Sequence, residues 1–143
     1  MVEINPKTEI EYRLKLAQQY LDDSVKAFKR GDYRNCVMSA QLSVENAAKT
    51  IIAVYMIPSW SHDPSLELKK ILKKLPKDLR KKVNRIGEIA HELAPEHGRT
   101  TYGEPLKGLT PWEIYDEKIS KRILNEAKEA IKLMKEVLKR IWK

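Results

Sequence analysis

The segment YRNCVMSAQLSVENAAKTIIAVYM, Tyr33 to Met56, decides the fold because it combines an apolar helical face with a file of polar residues. Gln41, Glu45 and Lys49 follow one another at intervals of four and form one ridge along the edge of that face. Either Glu45 and Lys49 pair with each other on an ordinary helix, or the ridge positions a functional group. The apolar face itself consists of Val37, Ala40, Val44, Ala47, Ala48 and Ile51.

Helical periodicity on both sides of this segment predicts five helices, separated by stretches rich in proline, glycine and serine. The first helix runs from about Lys7 to Arg30, the second from Tyr33 to Met56 and the last from Asp116 to Ile141. A short third helix begins after an N-cap at Ser65, and the fourth runs from Asp78 to Leu93, with Pro76 near its first turn. Repeated prolines and glycines predict a long loop from Pro95 to Trp112, and such loops are frequently functional. The sequence therefore predicts an all-α, five-helix up-and-down bundle with a long loop before the last helix.

Composition is typical of one domain with a single core, since the chain has 143 residues, of which 42% are hydrophobic. The only cysteine, Cys36, has no intramolecular disulfide partner and is expected to be a small buried hydrophobe, which favours the cytoplasm. No apolar run reaches the length of about 18 residues that spans a bilayer, and the N-terminus lacks a secretory signal pattern. Abundant lysine and glutamate are typical of thermophilic proteins.

The formal net charge is +8, and much of it is concentrated in one stretch. Between residues 69 and 85 the only acidic residue is Asp78, against nine basic ones. Such a cluster attracts phosphate groups, although a solvated helix pair with lysines for solubility has the same pattern. The basic residues are Lys69, Lys70, Lys73, Lys74, Lys77, Arg80, Lys81, Lys82 and Arg85.

A second motif, LAPEHGRTTYGEP from Leu93 to Pro105, follows the fourth predicted helix. Together with the polar ridge of the second helix, it resembles the HEPN domain family over nearly the whole chain. Many members read Arg-Tyr-Pro in this loop, whereas here Thr100 and Thr101 separate Arg99 from Tyr102. The resemblance implies a small helical domain that interacts with nucleotides or RNA, with a minimal nucleotidyltransferase as a partner in a toxin-antitoxin system.

Most catalytic classes lack support in this sequence, which contains no phosphate-binding Walker loop, no paired metal motif and no serine nucleophile elbow. The three histidines, His62, His91 and His97, lie in different predicted elements without the spacing of metal ligands. No metal site and no cofactor are therefore expected.

Arg85 and His91, with five residues between them, have the spacing of the active-site pair in HEPN ribonucleases. The resemblance implies metal-independent RNA cleavage, in which His91 assists proton transfer and Arg85 stabilises the charge on phosphorus. Ile86, however, replaces the polar residue that usually follows the arginine, and six helical steps place the two side chains about 120° apart. Glu88 lies three residues from each and offers a surface ion-pair network as the alternative.

The 95–112 segment offers a different site, because His97, Arg99 and Tyr102 combine a cation, ring faces and hydrogen-bond donors suited to a nucleotide. Alternatively, Tyr102, Trp112 and Tyr115 are packing anchors that tie the loop to the bundle.

These observations favour a non-catalytic nucleotide- or RNA-interacting module, with a ribonuclease using Arg85 and His91 as the alternative. A homodimer is expected because apolar residues continue beyond one stripe of the second and last helices, at Val54, Met56, Ile57, Leu124, Leu133 and Leu138. The residues expected to bind are Lys69, Lys73, Lys77, Arg80, Lys81, His97, Arg99 and Tyr102.

Overall fold

A computed structural model describes residues 5–142, which fold into α-helices joined by turns. In chain order the helices are α1 (Pro6–Lys29), α2 (Tyr33–Ala53), α3 (Ser65–Ile71), α4 (Arg80–Leu93), α5 (Glu96–Tyr102), α6 (Pro111–Ile114) and α7 (Glu117–Ile141). Short 3₁₀ turns occupy Leu72–Lys74, Lys77–Leu79 and Pro105–Lys107. The predicted all-α class is confirmed, since residues 5–142 contain no strand beyond an isolated bridge between Glu104 and Leu109.

The long helices begin at side-chain caps. The carboxamide oxygen of Asn5 accepts a hydrogen bond from the backbone N–H of Lys7 at 3.0 Å, and Pro6 occupies the first turn of α1. Asp32 caps α2 through the N–H of Asn35, and Asp116 caps α7 through the N–H of Ile119. These caps satisfy backbone donors that lack intrahelical partners, which explains why the observed starts agree with the periodicity to within one residue.

Helix α2 lies at the centre of the molecule and packs against all six other helices. Every residue from Ser43 to Ala53 is buried, including Glu45 and Lys49 of the polar ridge at the edge of the apolar face. Cys36 is fully buried, as expected, and burial raises the pKa of its thiol. A helix enclosed on all sides must find protein partners for each of its polar groups, since water cannot reach them.

The apolar residues of α7 serve the core of a single chain. Leu124 and Leu138 are buried at 4% and 6% exposure, and Leu133 packs against the same core. Leu124 and Leu138 therefore do not extend the apolar surface on which the homodimer prediction depends, whereas Leu133 is only partly buried. Met56 and Ile57, after the end of α2, remain exposed.

The segment between α2 and α4 is more compact than predicted. Ser65 is the first residue of α3 and not its N-cap, because Pro64 occupies the cap position and the Asp63 carboxylate accepts from the Ser65 N–H at 3.1 Å. Pro76 precedes a 3₁₀ turn and not the first turn of α4. Arg80 stabilises this turn region by donating to the carbonyl oxygens of Leu75 and Lys73 at 3.3 Å each.

The prediction of an irregular loop between Pro95 and Trp112 is wrong. Helix α5, a tight 104–109 turn and the four-residue α6 fill this segment, so that residues 5–142 hold six helices of seven or more residues where five were predicted. Helix α5 is tied to the bundle because Tyr115, buried between α6 and α7, donates a hydrogen bond to the Glu96 carboxylate. Thr110 begins α6 with a capping box that includes Glu113.

Within residues 5–142, no helix has both the length and the apolar character that crossing a bilayer requires.

The backbone at Gly103 predicts a sharp difference between two glycines of the same segment. Gly103 has a φ of +71°, and a Cβ there would lie 2.2 Å from the Leu109 carbonyl oxygen. Gly103→Ala should therefore lower the free energy of unfolding by about 2 kcal/mol or more. The matched variant Gly98→Ala meets no atom within 4 Å and sits inside α5, so it should be neutral or stabilising by up to about 1 kcal/mol.

Urea unfolding followed by far-UV circular dichroism measures both variants. Equal stabilities of Gly103→Ala and Gly98→Ala would contradict the described turn.

Candidate functional site

The polar ridge of α2 is buried inside the molecule. Gln41, Glu45 and Lys49 are 2%, 6% and 2% exposed. The Lys49 ammonium donates to Glu45 Oε2 at 3.2 Å, and the Gln41 amide nitrogen donates to Glu45 Oε1 at 3.2 Å. The pairing of Glu45 with Lys49, one of the two alternatives from the sequence, is therefore present. It is a buried ion pair, which needs further hydrogen bonds to offset the cost of removing both charges from water.

Two histidines from other elements complete these contacts. Nδ1 of His62 lies 3.0 Å from Glu45 Oε1, and Nδ1 of His97 lies 3.2 Å from Gln41 Oε1. The two imidazole rings stack with their centroids 3.6 Å apart and their planes inclined by 18°. We call Gln41, Glu45, Lys49, His62 and His97 the histidine cluster.

His62 reaches the cluster because the loop before α3 is docked at both ends. Ser59 donates to the Glu67 carboxylate through its N–H at 3.2 Å and its hydroxyl at 2.6 Å. At the other end, the Asp63 carboxylate contacts both the Ser65 N–H and the His91 ring. His62 lies between these two attachments and is about half exposed, with 53% of its side-chain surface accessible.

His97 is carried by α5 and is half-buried against α2. Burial lowers the pKa of His97, and the neighbouring imidazole of His62 lowers it further, while the Glu45 carboxylate acts in the opposite direction. Burial prevails, so His97 is held in its neutral form more strongly than an ordinary histidine.

The histidine cluster also contains three metal-type donor groups. One ligand atom each from Glu45, His62 and His97 lies within 4.8 Å of the other two. Spacing along the sequence does not indicate this arrangement, because the three donors come from different elements far apart in the chain.

A groove opens between α3 and α4 on the other side of the same loop. It has a volume of about 460 Å³, and Gly87 lies at its floor against Leu68. We call it the α3–α4 groove; its lining residues share an apolar base and a polar rim, namely Asp63, Ser65, Leu66, Leu68, Lys69, Val83, Asn84, Gly87, Glu88 and His91.

Arg85 and His91 have separate partners. The Arg85 guanidinium binds both carboxylate oxygens of Glu129 on α7, at 2.8 and 3.2 Å, and contacts Glu88 at 3.4 Å. These contacts, with the Glu129 hydrogen bond foremost, raise the pKa of Arg85. His91 Nδ1 contacts Asp63 Oδ2 at 2.7 Å instead of Glu88. Half of the predicted network, Arg85 to Glu88, is therefore present, whereas His91 anchors the loop before α3.

The hydrogen bonds of Asp63 lower the pKa of its carboxyl group. Burial alone raises the pKa of this carboxyl group, but the hydrogen bonds from Ser65 and His91 outweigh it and bring the pKa below its ordinary value. Asp63 is therefore ionised at neutral pH and fixes the loop that carries His62.

The basic stretch separates into structural and free cations. Arg80 binds backbone carbonyls, Lys82 pairs with Glu136 at 2.8 Å, and Arg85 pairs with Glu129. The remaining six ammonium groups are exposed, and among residues 5–142 no carboxylate oxygen lies within 4.0 Å of them. We call these residues the lysine strip: Lys69, Lys70, Lys73, Lys74, Lys77 and Lys81.

The three binding residues expected in the 95–112 segment occupy different environments. His97 belongs to the histidine cluster, whereas the Arg99 guanidinium pairs with Glu96 and, at 2.7 Å, with Glu104. Tyr102 is 75% exposed. Of the aromatic anchors considered as the alternative, Tyr115 is buried, but Trp112 is 69% exposed beneath the Arg34 guanidinium, 4.9 Å from its ring centroid.

The family model of the HEPN domain matches residues 10–141, nearly the whole chain. A search of curated proteins finds no match.

The buried pair of Glu45 and Lys49 makes a prediction about stability. Glu45→Leu leaves the Lys49 ammonium buried without its carboxylate, and the free energy of unfolding should fall by about 3–5 kcal/mol. The double variant Glu45→Leu/Lys49→Met removes both charges and should recover most of that loss. Urea unfolding measures each variant. A double variant as unstable as the single one would show that the loss does not come from the uncompensated charge.

Proposed function

Because this chain belongs to the HEPN domain family, we propose that it is a non-catalytic module that binds nucleotides or RNA along the lysine strip and in the α3–α4 groove. HEPN domains are generally related to nucleotides or RNA. The family alone does not say which surface binds, and that part of the proposal is supported by the charges and cavities of this chain.

The observation that carries the proposal is the lysine strip itself. Its six exposed ammonium groups are spread over α3, two 3₁₀ turns and the start of α4, without carboxylate partners among residues 5–142. Ammonium groups in this state attract phosphates, and binding releases counterions from the nucleic acid. By contrast, the arginines of the same stretch are held within the protein. The free charge of this stretch is therefore carried by its lysines.

The α3–α4 groove supplies the other half of a nucleotide site. Its base is apolar, with Leu68 and Val83, while Asn84 and Glu88 offer hydrogen-bonding groups at its rim. Such a combination suits a nucleobase, whose faces are apolar and whose edges are polar. Lys69 belongs both to the groove and to the lysine strip. A base in the groove therefore has a phosphate-binding cation directly beside it.

An exposed aromatic side chain adds support for RNA. Trp60 is 91% exposed and lies in the loop that Ser59 fastens to α3. Aromatic rings next to basic residues are typical of surfaces that bind single strands by stacking. The basic stretch itself contains no aromatic residue, so an aromatic ring for stacking has to come from another element, such as this loop.

The arrangement of Arg85 and His91 favours binding over catalysis. A catalytic arginine has to be available to the phosphate in the transition state, but Arg85 is engaged by two carboxylates. His91 lines the α3–α4 groove while Arg85 does not, and Nδ1 of His91 contacts Asp63. Arg85 would therefore have to leave its carboxylate partners before it could stabilise a phosphate in the transition state.

We also propose protein partners for this chain. Membership of the family supports a minimal nucleotidyltransferase as a partner, as in toxin-antitoxin pairs. For a homodimer the support comes from the exposed apolar residues Met56 and Ile57, since Leu124 and Leu138 of α7 are buried within one chain.

The lysine strip predicts a strong salt dependence of RNA binding. If Lys73, Lys77 and Lys81 each contact a phosphate of single-stranded RNA, changing all three to Glu should abolish detectable binding at physiological salt. Changing them to Gln should reduce the slope of log affinity against log salt concentration by about 2. Fluorescence anisotropy with a labelled single-stranded RNA measures both quantities.

A matched control uses three exposed lysines on other helices, Lys15 and Lys26 on α1 and Lys121 on α7. Their triple change to Glu alters the net charge equally and should retain most of the affinity. Equal losses in the two triple variants would reduce the effect to net charge and reject the lysine strip as the binding surface.

The non-catalytic part of the proposal has its own test. Purified protein should leave RNA intact in the presence of a chelator, because Arg85 and His91 are engaged by separate carboxylates. Cleavage that falls by about 100-fold or more in His91→Ala, and also falls in Arg85→Ala, would establish the ribonuclease alternative. Variants purified in parallel control for contaminating nucleases, whose activity would not change with either substitution.

A further inference from the structure

The histidine cluster brings together three side chains that ligate metals, from three elements far apart in sequence. Glu45 comes from the middle of α2, His62 from the loop before α3, and His97 from the second residue of α5. We propose that Glu45, His62 and His97 form a zinc site, with one carboxylate oxygen and two imidazole nitrogens as protein ligands and a fourth position open to solvent.

A tetrahedral ion requires the three donors to move closer together and the stacked imidazole rings to rotate out of their parallel arrangement. Zinc binds nitrogen and oxygen at about 2.0–2.2 Å, so the donors of a tetrahedral site lie about 3.4 Å apart. In this chain one donor atom from each residue lies within 4.8 Å of the others. His62 Nδ1 already lies 3.0 Å from Glu45 Oε1, and the 53% exposure of its side chain leaves room for its ring to rotate away from the stack with His97.

The donor types select the class of metal. Two imidazoles and one carboxylate are a common protein set for zinc and for neighbouring transition metals, whereas magnesium and calcium prefer oxygen ligands alone. A site with three protein ligands keeps a position for water or another ligand. The half-exposed ring of His62 places that position towards solvent.

Residues around the three donors form hydrogen bonds to them that fix their orientation, as the residues around metal ligands regularly do. The amide nitrogen of Gln41 donates to Glu45, so the Gln41 carbonyl oxygen is the group that faces His97. A carbonyl oxygen only accepts, so Nδ1 of His97 carries the proton and Nε2 keeps its lone pair for a metal. Hydrogen bonding of the second ring nitrogen to a carbonyl is a regular feature of histidine ligands.

Glu45 is oriented in the same way. Its Oε2 accepts from Lys49, and its Oε1 is directed towards Gln41 and His62. In the absence of an ion, Oε1 and Nδ1 of His62 are joined by a hydrogen bond, which the metal would replace with two coordinate bonds.

Isothermal titration of the untagged full chain with Zn²⁺ tests the proposal. We expect one ion per chain, and Co²⁺ in the same site should give the intense visible absorption of tetrahedral coordination. His62→Gln and His97→Gln should each weaken zinc binding by at least about 100-fold, since loss of an outer-shell partner alone costs about 10–100-fold.

The third histidine, His91, serves as the control. His91→Gln makes the same chemical change outside the cluster, keeps a donor for Asp63, and should leave zinc affinity within a few-fold of the unchanged chain. Failure to bind Zn²⁺, or equal affinity in all three variants, would overturn the proposal. The titration contains no RNA, so its outcome is independent of the lysine strip and the α3–α4 groove.

Discussion

The enclosure of α2 by all six other helices is the constraint on which the rest of this structure depends. Such a helix has no exposed face on which to place charged side chains, yet its sequence carries Glu45 and Lys49. The two charges compensate each other, and the remaining acceptor capacity of Glu45 is met by Gln41 and His62. The loop before α3 and helix α5 therefore dock against α2 at the place where one buried ion pair needs hydrogen-bond partners instead of water.

The long helices follow from the sequence because their information is local. Apolar residues at helical spacing, side-chain caps and the break at Gly31 locate α1, α2, α4 and α7 closely. Helix α5 could not be found this way, since its seven residues contain glycine and two threonines between two prolines. Its helical state depends on tertiary contacts, above all the bond from Tyr115 to Glu96 across nineteen positions. Propensity is outweighed there by packing.

The candidate site likewise has a part that local sequence predicts and a part that depends on tertiary contacts. The polar ridge and the basic stretch are runs on neighbouring turns, and the sequence identified both. The meeting of His62 with His97, and of Arg85 with Glu129, joins residues tens of positions apart, which no local spacing encodes. Leu124 and Leu138 were assigned to a dimer surface for a related reason, because a sequence does not say how many neighbours a helix has.

One loop links the two surfaces of functional interest. His62 belongs to the histidine cluster, while Asp63, the next residue, pairs with His91 at the α3–α4 groove. We propose that RNA binds at that groove and along the lysine strip. Nuclear magnetic resonance of the ¹⁵N-labelled chain, titrated with a short single-stranded RNA, tests this binding surface residue by residue. Amide shifts should change at Lys73, Lys77 and Gly87 while those of α1 stay constant; changes confined to α1 or to residues 102–112 would show that RNA binds elsewhere.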